Sequence, residues 1–93
     1  MAQATARHIL VQTEEQCNQL RQEIEGGADF ADIAAKHSQC PSGKNGGDLG
    51  AFGPGQMVPE FDTVVFNDEV GVVHGPVKTQ FGYHLLEIQS RTD

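Results

Sequence analysis

The sequence predicts a domain of mixed helices and strands in the order β-α-α-β-α-β-β. Strand-like runs lie near both ends of the chain, at residues 5–11 and 83–90, with apolar residues at alternating positions. Between them, apolar residues recur at helical spacing behind residues that commonly begin helices. The 93 residues can bury one modest core, so we predict a single domain over residues 1–93.

The first predicted strand carries apolar residues on both of its faces. Ala6, His8 and Leu10 alternate with Arg7, Ile9 and Val11. A strand with apolar groups on both faces is typical of the centre of a sheet, which is where we place residues 5–11.

Two helices are predicted next. Thr13 caps the first, with Gln16 in the capping-box position, and Gly26 and Gly27 end it. Asp29 caps the second. The apolar stripe of the first helix is Cys17, Leu20 and Ile24, and that of the second is Phe30, Ile33, Ala34 and His37.

A long glycine-rich segment follows, at residues 38–56. Loops of this length inside compact domains are usually functional or disordered, and Leu49 and Phe52 favour a packed, functional loop. We expect a short strand within residues 47–52.

The last third of the chain predicts one helix and a hairpin. Pro59 suits the first turn of a helix whose apolar stripe is Phe61, Val64 and Val65. Residues 75–79 predict an edge strand, because Pro76 cannot donate to a ladder. A turn at residues 80–82 then leads into the last strand, with His84, Leu86 and Ile88 on one face.

Composition narrows the classes of partner. Six Lys and Arg against 13 Asp and Glu give a net charge of −7, without a basic stripe. We therefore expect no binding to nucleic acid or to membranes.

Residues 1–11 lack the features of a signal peptide. With only Cys17 and Cys40 and no such peptide, we expect a reducing, cytoplasmic setting.

Two histidines and one cysteine are the candidate polar site. His8 and His84 each lie within an apolar strand, and a pair of imidazoles can share a proton and fix each other's tautomer. Two unrelated buried histidines are the simpler alternative. Cys40 opens the glycine-rich segment and suits a nucleophile, a metal ligand or a polarisable hydrogen-bond partner. Asp48 could complete a zinc site on paper, but no CxxC or HxxxH spacing is present.

Large apolar residues near the glycine-rich segment predict a pocket. Met57 and Phe61 stand four residues apart across a helix start, with Leu49 upstream and Phe81 downstream. Ordinary core packing would explain the spacing alone. The glycine-rich neighbourhood favours a pocket for a compact apolar ring instead.

These stretches together resemble the parvulin family of peptidyl-prolyl isomerases over nearly the whole chain. The matching segments are ARHILV, GADFADIAAKHSQCPSGKNGGDLGAFGPGQMVPEFD and GPVKTQFGYHLLEI. The small single-domain bacterial members are the most similar. The resemblance implies an α+β, parvulin-like domain of the FKBP-like superfold. Its four-stranded antiparallel sheet would be surrounded by three to four helices.

The resemblance also implies roles for individual residues. His8 and His84 match the two central histidines, Cys40 the active-site cysteine, and Thr79 a hydroxyl that hydrogen-bonds the histidine pair. Leu49, Met57 and Phe61 match the proline pocket, and Phe81 a position that borders the substrate. The implied activity is non-covalent rotation about Xaa-Pro bonds in proline-containing peptides and unfolded proteins, by a monomer without cofactor or metal.

One departure bears on specificity. Phosphate-directed parvulins carry a basic cluster soon after the first strand, whereas this chain has Gln12, Thr13, Glu14 and Glu15 there. We therefore expect no preference for a phosphorylated residue before proline. A weakly catalytic peptide-holding or chaperone module is the alternative function, and a Cys/His hydrolase is a third.

Overall fold

The computed structural model describes residues 3–92, apart from the side chains of residues 41 and 42. The predicted order of strands and helices is confirmed, and a 3₁₀ helix, Pro41–Asn45, is added within the glycine-rich segment. Residues 1, 2 and 93 of the predicted domain lie outside the described residues. The strands are β1 (Gln3–Val11), β2 (Asp48–Phe52), β3 (Val73–Thr79) and β4 (Gly82–Thr92), and the helices are α1 (Glu14–Glu25), α2 (Phe30–His37) and α3 (Pro59–Asn67).

The four strands form one antiparallel sheet in the order β2-β1-β4-β3. The predicted central position of β1 and edge position of β3 are both confirmed. β1 pairs with β4 along its whole length, so that Leu10 lies opposite His84 and His8 lies opposite Leu86. This register places both strand histidines on the same face, one step apart along neighbouring strands.

The core is divided by the sheet into two parts. Helices α1 and α2 cover one face, where Ile9, Val11 and Leu85 pack against their apolar stripes. On the other face, Ala6, Leu86 and Ile88 pack against α3 and the end of β2. The alternation along β1 and β4 therefore sends each side chain to the face that the sequence predicts.

A charged pair lies on the α1 and α2 face. Arg7 and Glu87 are cross-strand partners on β1 and β4, with their Nε and Oε1 atoms 2.6 Å apart. The Arg7 guanidinium also lies 4.8 Å from the centre of the Phe30 ring, which joins α2 to the sheet. The charges are thus kept away from the face that carries the histidines.

Hydrogen bonds satisfy both ends of α1 and the end of α3, whereas Asp29 is the N-cap residue of α2 but makes no side-chain capping hydrogen bond. Thr13 Oγ1 accepts a hydrogen bond from the Gln16 amide at 3.1 Å, and the Gly26 amide closes the other end of α1. At the end of α3, the Arg91 guanidinium donates to the carbonyls of Val65 and Asp68, at 2.7 Å each. Among residues 3–92, no helix is both long enough and apolar enough to cross a membrane.

The structure differs from the sequence-based expectation in two further details. His37 is exposed, although helical spacing placed it on the inner stripe of α2, because the helix ends there and the chain turns back toward β1. The strands β1, β3 and β4 begin or end two residues beyond their predicted bounds, since Gln3 pairs with Thr92, and Val73 with Glu87. Most of these end residues are polar, so alternation of apolar side chains gives little sign of their pairing.

Gly47 brings the glycine-rich segment against the backbone of β1. Its carbonyl accepts the His8 amide hydrogen at 2.9 Å, and its φ is +85°. A Cβ atom at this position would overlap the His8 carbonyl oxygen. Only glycine meets both demands, because a side chain disfavours this φ and the backbone leaves no space for it.

Replacing Gly47 should therefore disturb the backbone of β1 at His8. We expect Gly47→Ala to lower the free energy of unfolding by about 3 kcal/mol, from the φ strain and the overlap together. Gly50→Ala is the matched control, since Gly50 has φ +72° but no atom within 4 Å of its added Cβ. It should cost only about 1–2 kcal/mol. Urea unfolding of both variants measures the difference, and equal losses would contradict this account.

Candidate active site

The two strand histidines form a direct hydrogen bond at the centre of the sheet. His8 Nδ1 and His84 Nδ1 lie 3.1 Å apart, and the two ring planes are inclined by only 16°. One nitrogen must donate and the other accept, so the two neutral rings share a single proton along this contact. The alternative of two unrelated buried histidines is thereby contradicted.

Thr79 extends this contact into a chain of hydrogen bonds. Its Oγ1 lies 2.7 Å from His84 Nε2 and also accepts the Phe81 amide hydrogen at 3.2 Å. Because Thr79 ends β3 and Phe81 lies in the following turn, the β3–β4 hairpin positions the hydroxyl. The chain of bonds fixes the orientation of the His84 ring and couples its tautomer to that of His8.

Burial keeps both imidazoles uncharged near neutral pH. His8 is 4 % and His84 3 % exposed, and the ring of Phe61 stands edge-on to both, with centroids 5.4 and 4.8 Å away. Desolvation, joined for His8 by the nearby His84, lowers the pKa of each ring to about 4. The pair therefore offers dipoles, not charges, to anything that binds against it.

The lowered pKa values make the fold sensitive to acid. The unfolded chain binds protons at these rings near pH 6.5, but the folded chain only near pH 4. The unfolded state therefore holds more protons in this window, and the free energy of unfolding should fall as the pH drops from about 6.5 toward about 4. Urea unfolding across the window, together with imidazole nitrogen NMR shifts, measures this dependence.

A variant with one titrating ring provides the control for this dependence. His84→Gln should show a shallower loss across the same pH window, since only His8 then remains to be protonated. Protonation of both rings near pH 6.5 in the folded wild-type protein would contradict the prediction.

Cys40 reaches the same face through the turn after α2. The Gln39 amide donates to the Leu10 carbonyl at 2.8 Å, and the Leu10 amide donates to Ser38 Oγ at 3.1 Å. These bonds attach the turn to β1 beside His8. Cys40 is half-buried and takes part in no disulfide, whereas Cys17 is buried in the other half of the core, where burial raises its pKa to about 11.

The loop before α3 places Met57 on the same face of the sheet as the histidine pair. Gly53 donates its amide hydrogen to the Gln56 side chain, and Gly55 donates to Asp62 Oδ2, both at 2.6 Å. These bonds tie the loop to itself and to the first turns of α3. Met57 is half-buried, and both Met57 and Leu49 on β2 pack against the core cluster that contains Phe61.

These elements enclose a cavity of about 360 Å³. Apart from the histidine pair, Gln39 and Cys40, its walls are apolar, and Phe81 forms an exposed rim. Its volume is at the lower end of the about 300–1,000 Å³ that small-ligand sites span. Its lining residues are His8, Leu10, Gln39, Cys40, Leu49, Met57, Val58, Phe61, Phe81 and His84.

Seven of the eight predicted site residues line this cavity. The eighth, Thr79, does not line it but is hydrogen-bonded to His84, which does. The structure brings them together, while their roles in catalysis and binding stay predictions. Leu10, Gln39 and Val58 were missed. The alternation of β1 could have found Leu10, which shares the face of His8, whereas Gln39 and Val58 carry no comparable pattern.

The sequence left two other kinds of site open, a metal site and a cysteine nucleophile. Within the described part of the chain, no three His, Cys, Asp or Glu residues are arranged to hold a metal ion. A cysteine nucleophile would need a base with an orienting group and an oxyanion hole. The hydrogen bonds between the two rings and between His84 and Thr79 could orient such a base, so the role of Cys40 stays a prediction.

Comparison with known proteins agrees with this geometry. Residues 3–90 match the family model of rotamases, the PPIC-type PPIase domain. The foldase protein PrsA of Geobacillus sp. is 44% identical over 89 residues, which are 95% of this chain and 32% of the relative. The chain thus spans about a third of the length of this curated relative.

Solved structures share the fold. The peptidylprolyl isomerase PrsA of Bacillus anthracis superposes with a TM-score of 0.94 at 34% identity, covering 99% of this chain and 43% of that one. Pin from the archaeon Cenarcheaum symbiosum superposes with a TM-score of 0.84, also at 34% identity, covering 95% of this chain and 92% of that one. The predicted parvulin-like fold is therefore confirmed, and the chain belongs to the family of PPIC-type peptidyl-prolyl isomerase domains.

Proposed function

We propose that the domain accelerates cis/trans rotation about Xaa-Pro bonds in flexible or unfolded polypeptides, by a non-covalent mechanism that needs no cofactor. One observation carries the proposal: an apolar cavity opens directly onto an uncharged pair of hydrogen-bonded histidines and Cys40. Membership of the isomerase family supports the reaction type.

The chemical task is to weaken the resonance of one amide bond. Rotation about a peptide bond has a barrier of about 18–20 kcal/mol, because the planar amide is stabilised by partial double-bond character. No bond needs to form or break. A site that binds the twisted amide more tightly than the planar one is sufficient.

The apolar walls contribute to this difference. The planar amide is more strongly charge-separated than the twisted form, so removing water from it disfavours the ground state. Met57, Phe61 and Leu49 would hold the proline ring and exclude water from the bond beside it. Because Phe61 is itself fixed against both imidazoles, the pocket wall and the polar group keep a constant relative position.

The polar side of the cavity would act through oriented dipoles. Cys40, His8 and His84 line the cavity and would face the substrate carbonyl or the pyramidalised proline nitrogen. Thr79 and the paired ring hold His84 in position before the substrate arrives, so little reorganisation is required. Lowering the barrier by about 4–6 kcal/mol would give roughly a thousand- to ten-thousandfold acceleration.

Specificity and setting are part of the proposal. No Lys or Arg among the described residues lines the cavity, which supports a lack of preference for phosphorylated residues before proline. The clients are proline-containing peptides and unfolded proteins, in keeping with the name foldase borne by the Geobacillus relative. The monomeric state, the absence of nucleic-acid or membrane partners and the cytoplasmic location stay predictions.

A peptide-holding module is the second candidate. The exposed rim of the cavity favours it, because the Phe81 side chain is 57% exposed and can contact an unfolded segment without any isomerisation. Binding and catalysis are separable by experiment, since only catalysis changes the exchange rate between isomers.

The proposal is tested by NMR exchange spectroscopy on Ala-Xaa-Pro-Phe peptides with catalytic amounts of protein. We expect faster cis/trans exchange for Leu, Met and Ala before proline and no gain for phosphoserine. Chemical-shift changes without faster exchange would support the holding module instead.

The same assay tests whether Met57 forms part of the proline pocket. Met57→Ala should lower kcat/KM about tenfold, since truncating a half-buried side chain removes about 1–2 kcal/mol of apolar contact with the substrate. Met57→Leu, of similar volume, should keep most of the activity. Full activity of a folded Met57→Ala protein would contradict the pocket assignment.

Cys40→Ser distinguishes a polar role from a nucleophilic one. We expect substantial activity to remain, because a hydroxyl can still present a dipole at this position. Complete loss of activity in a folded Cys40→Ser protein, or a thioester trapped on the wild type and detected by mass spectrometry, would restore the nucleophile hypothesis.

A further inference from the structure

A second cavity of about 280 Å³ adjoins the candidate active site. Val58 lines both cavities, and Thr79, which lines the second, is hydrogen-bonded to His84, which lines the first. The two cavities therefore share the Val58 side chain as a wall, and the hydrogen bond between Thr79 and His84 connects their linings. The second is lined by Val58, Pro59, Glu60, Thr79 and Gln80.

Glu60 is the one charged side chain among the described residues that line either cavity. It lies in the first turn of α3. No Lys or Arg within residues 3–92 forms an ion pair with it. An unneutralised carboxylate therefore faces a cavity whose other walls are Val58, Pro59 and polar Thr79 and Gln80.

Three of the six Lys and Arg side chains are engaged elsewhere or directed away from the second cavity. Arg7 pairs with Glu87 on the opposite face of the sheet, and Arg91 binds carbonyls at the far end of α3. Lys78 precedes Thr79 in β3 but lies opposite Tyr83, which packs against the α1 and α2 side of the core. Alternation along the strand therefore directs Lys78 away from the second cavity.

We propose that the second cavity receives the side chain of a residue flanking the substrate proline, and that Glu60 favours a lysine or arginine there. The inference rests on the proposed isomerase function, since it assigns a neighbouring subsite to the proline cavity. The apolar stem of such a side chain would cover Val58 and Pro59, while its charged end reaches the Glu60 carboxylate. Gln80 adds an amide that can complete the hydrogen bonding.

The test compares lysine, its neutral analogue norleucine and glutamate at each position flanking proline in one peptide series. At low salt, one of the two positions should show kcat/KM decreasing from lysine to norleucine to glutamate, by about two- to fivefold per step, as expected of an exposed charge pair. The differences should shrink in roughly 0.5 M NaCl, because salt screens exposed charges.

Variants assign the preference to Glu60. Glu60→Gln should abolish the ratio of lysine to norleucine rates, and Glu60→Lys should reverse the order of lysine and glutamate. Glu23→Gln is the matched control, because Glu23 is an exposed carboxylate on α1, on the other side of the sheet. It should leave the ratio unchanged.

Two outcomes would overturn the inference: equal lysine and norleucine rates at both flanking positions in the wild type, or a preference that survives Glu60→Gln. Acceleration of the norleucine peptide without charge discrimination would remove the subsite and leave the isomerase function intact. If no peptide is accelerated, the proposed function fails. In that case, NMR titrations with the same peptides test the subsite. Equal affinities of the lysine and norleucine peptides would overturn the subsite, and tighter binding of the lysine peptide would support it.

Discussion

The hydrogen bond between His8 and His84 is the contact on which the arrangement of the site depends. A buried imidazole without a partner is costly, so each ring requires a neighbour at the right distance. The rings come from the two central strands, and the third member, Thr79, comes from the edge strand. The bond chain is therefore complete only when the registers of β1 with β4 and of β3 with β4 are both correct.

The same contact explains how an apolar cavity can include polar groups. Because burial keeps both rings neutral near pH 7, they can lie edge-on to Phe61 without an unpaired charge. The ion pair of Arg7 and Glu87 is confined to the opposite face of the sheet. The site therefore combines a water-poor pocket with fixed dipoles, which is what stabilisation of a twisted amide requires.

Close backbone approach brings distant segments to this pair. Gly47 lets β2 hydrogen-bond beside His8, and the turn through Ser38 and Gln39 attaches Cys40 to the other end of β1. α3 adds Phe61 from one side, with its preceding loop held by Asp62. Helices α1 and α2 do not line the cavity, but they cover the other face and so support the strands that do.

The order of elements, the central place of β1 and most of the residues of the cavity wall could be predicted from the sequence. Alternation in strands and capping at Thr13 are local properties that the residues carry with them. The exposure of His37, the contributions of Gln39 and Val58, and the second cavity beside Glu60 were decided by the tertiary structure alone. These features depend on where one segment ends against another, and on non-local pairing that no run of neighbouring residues specifies.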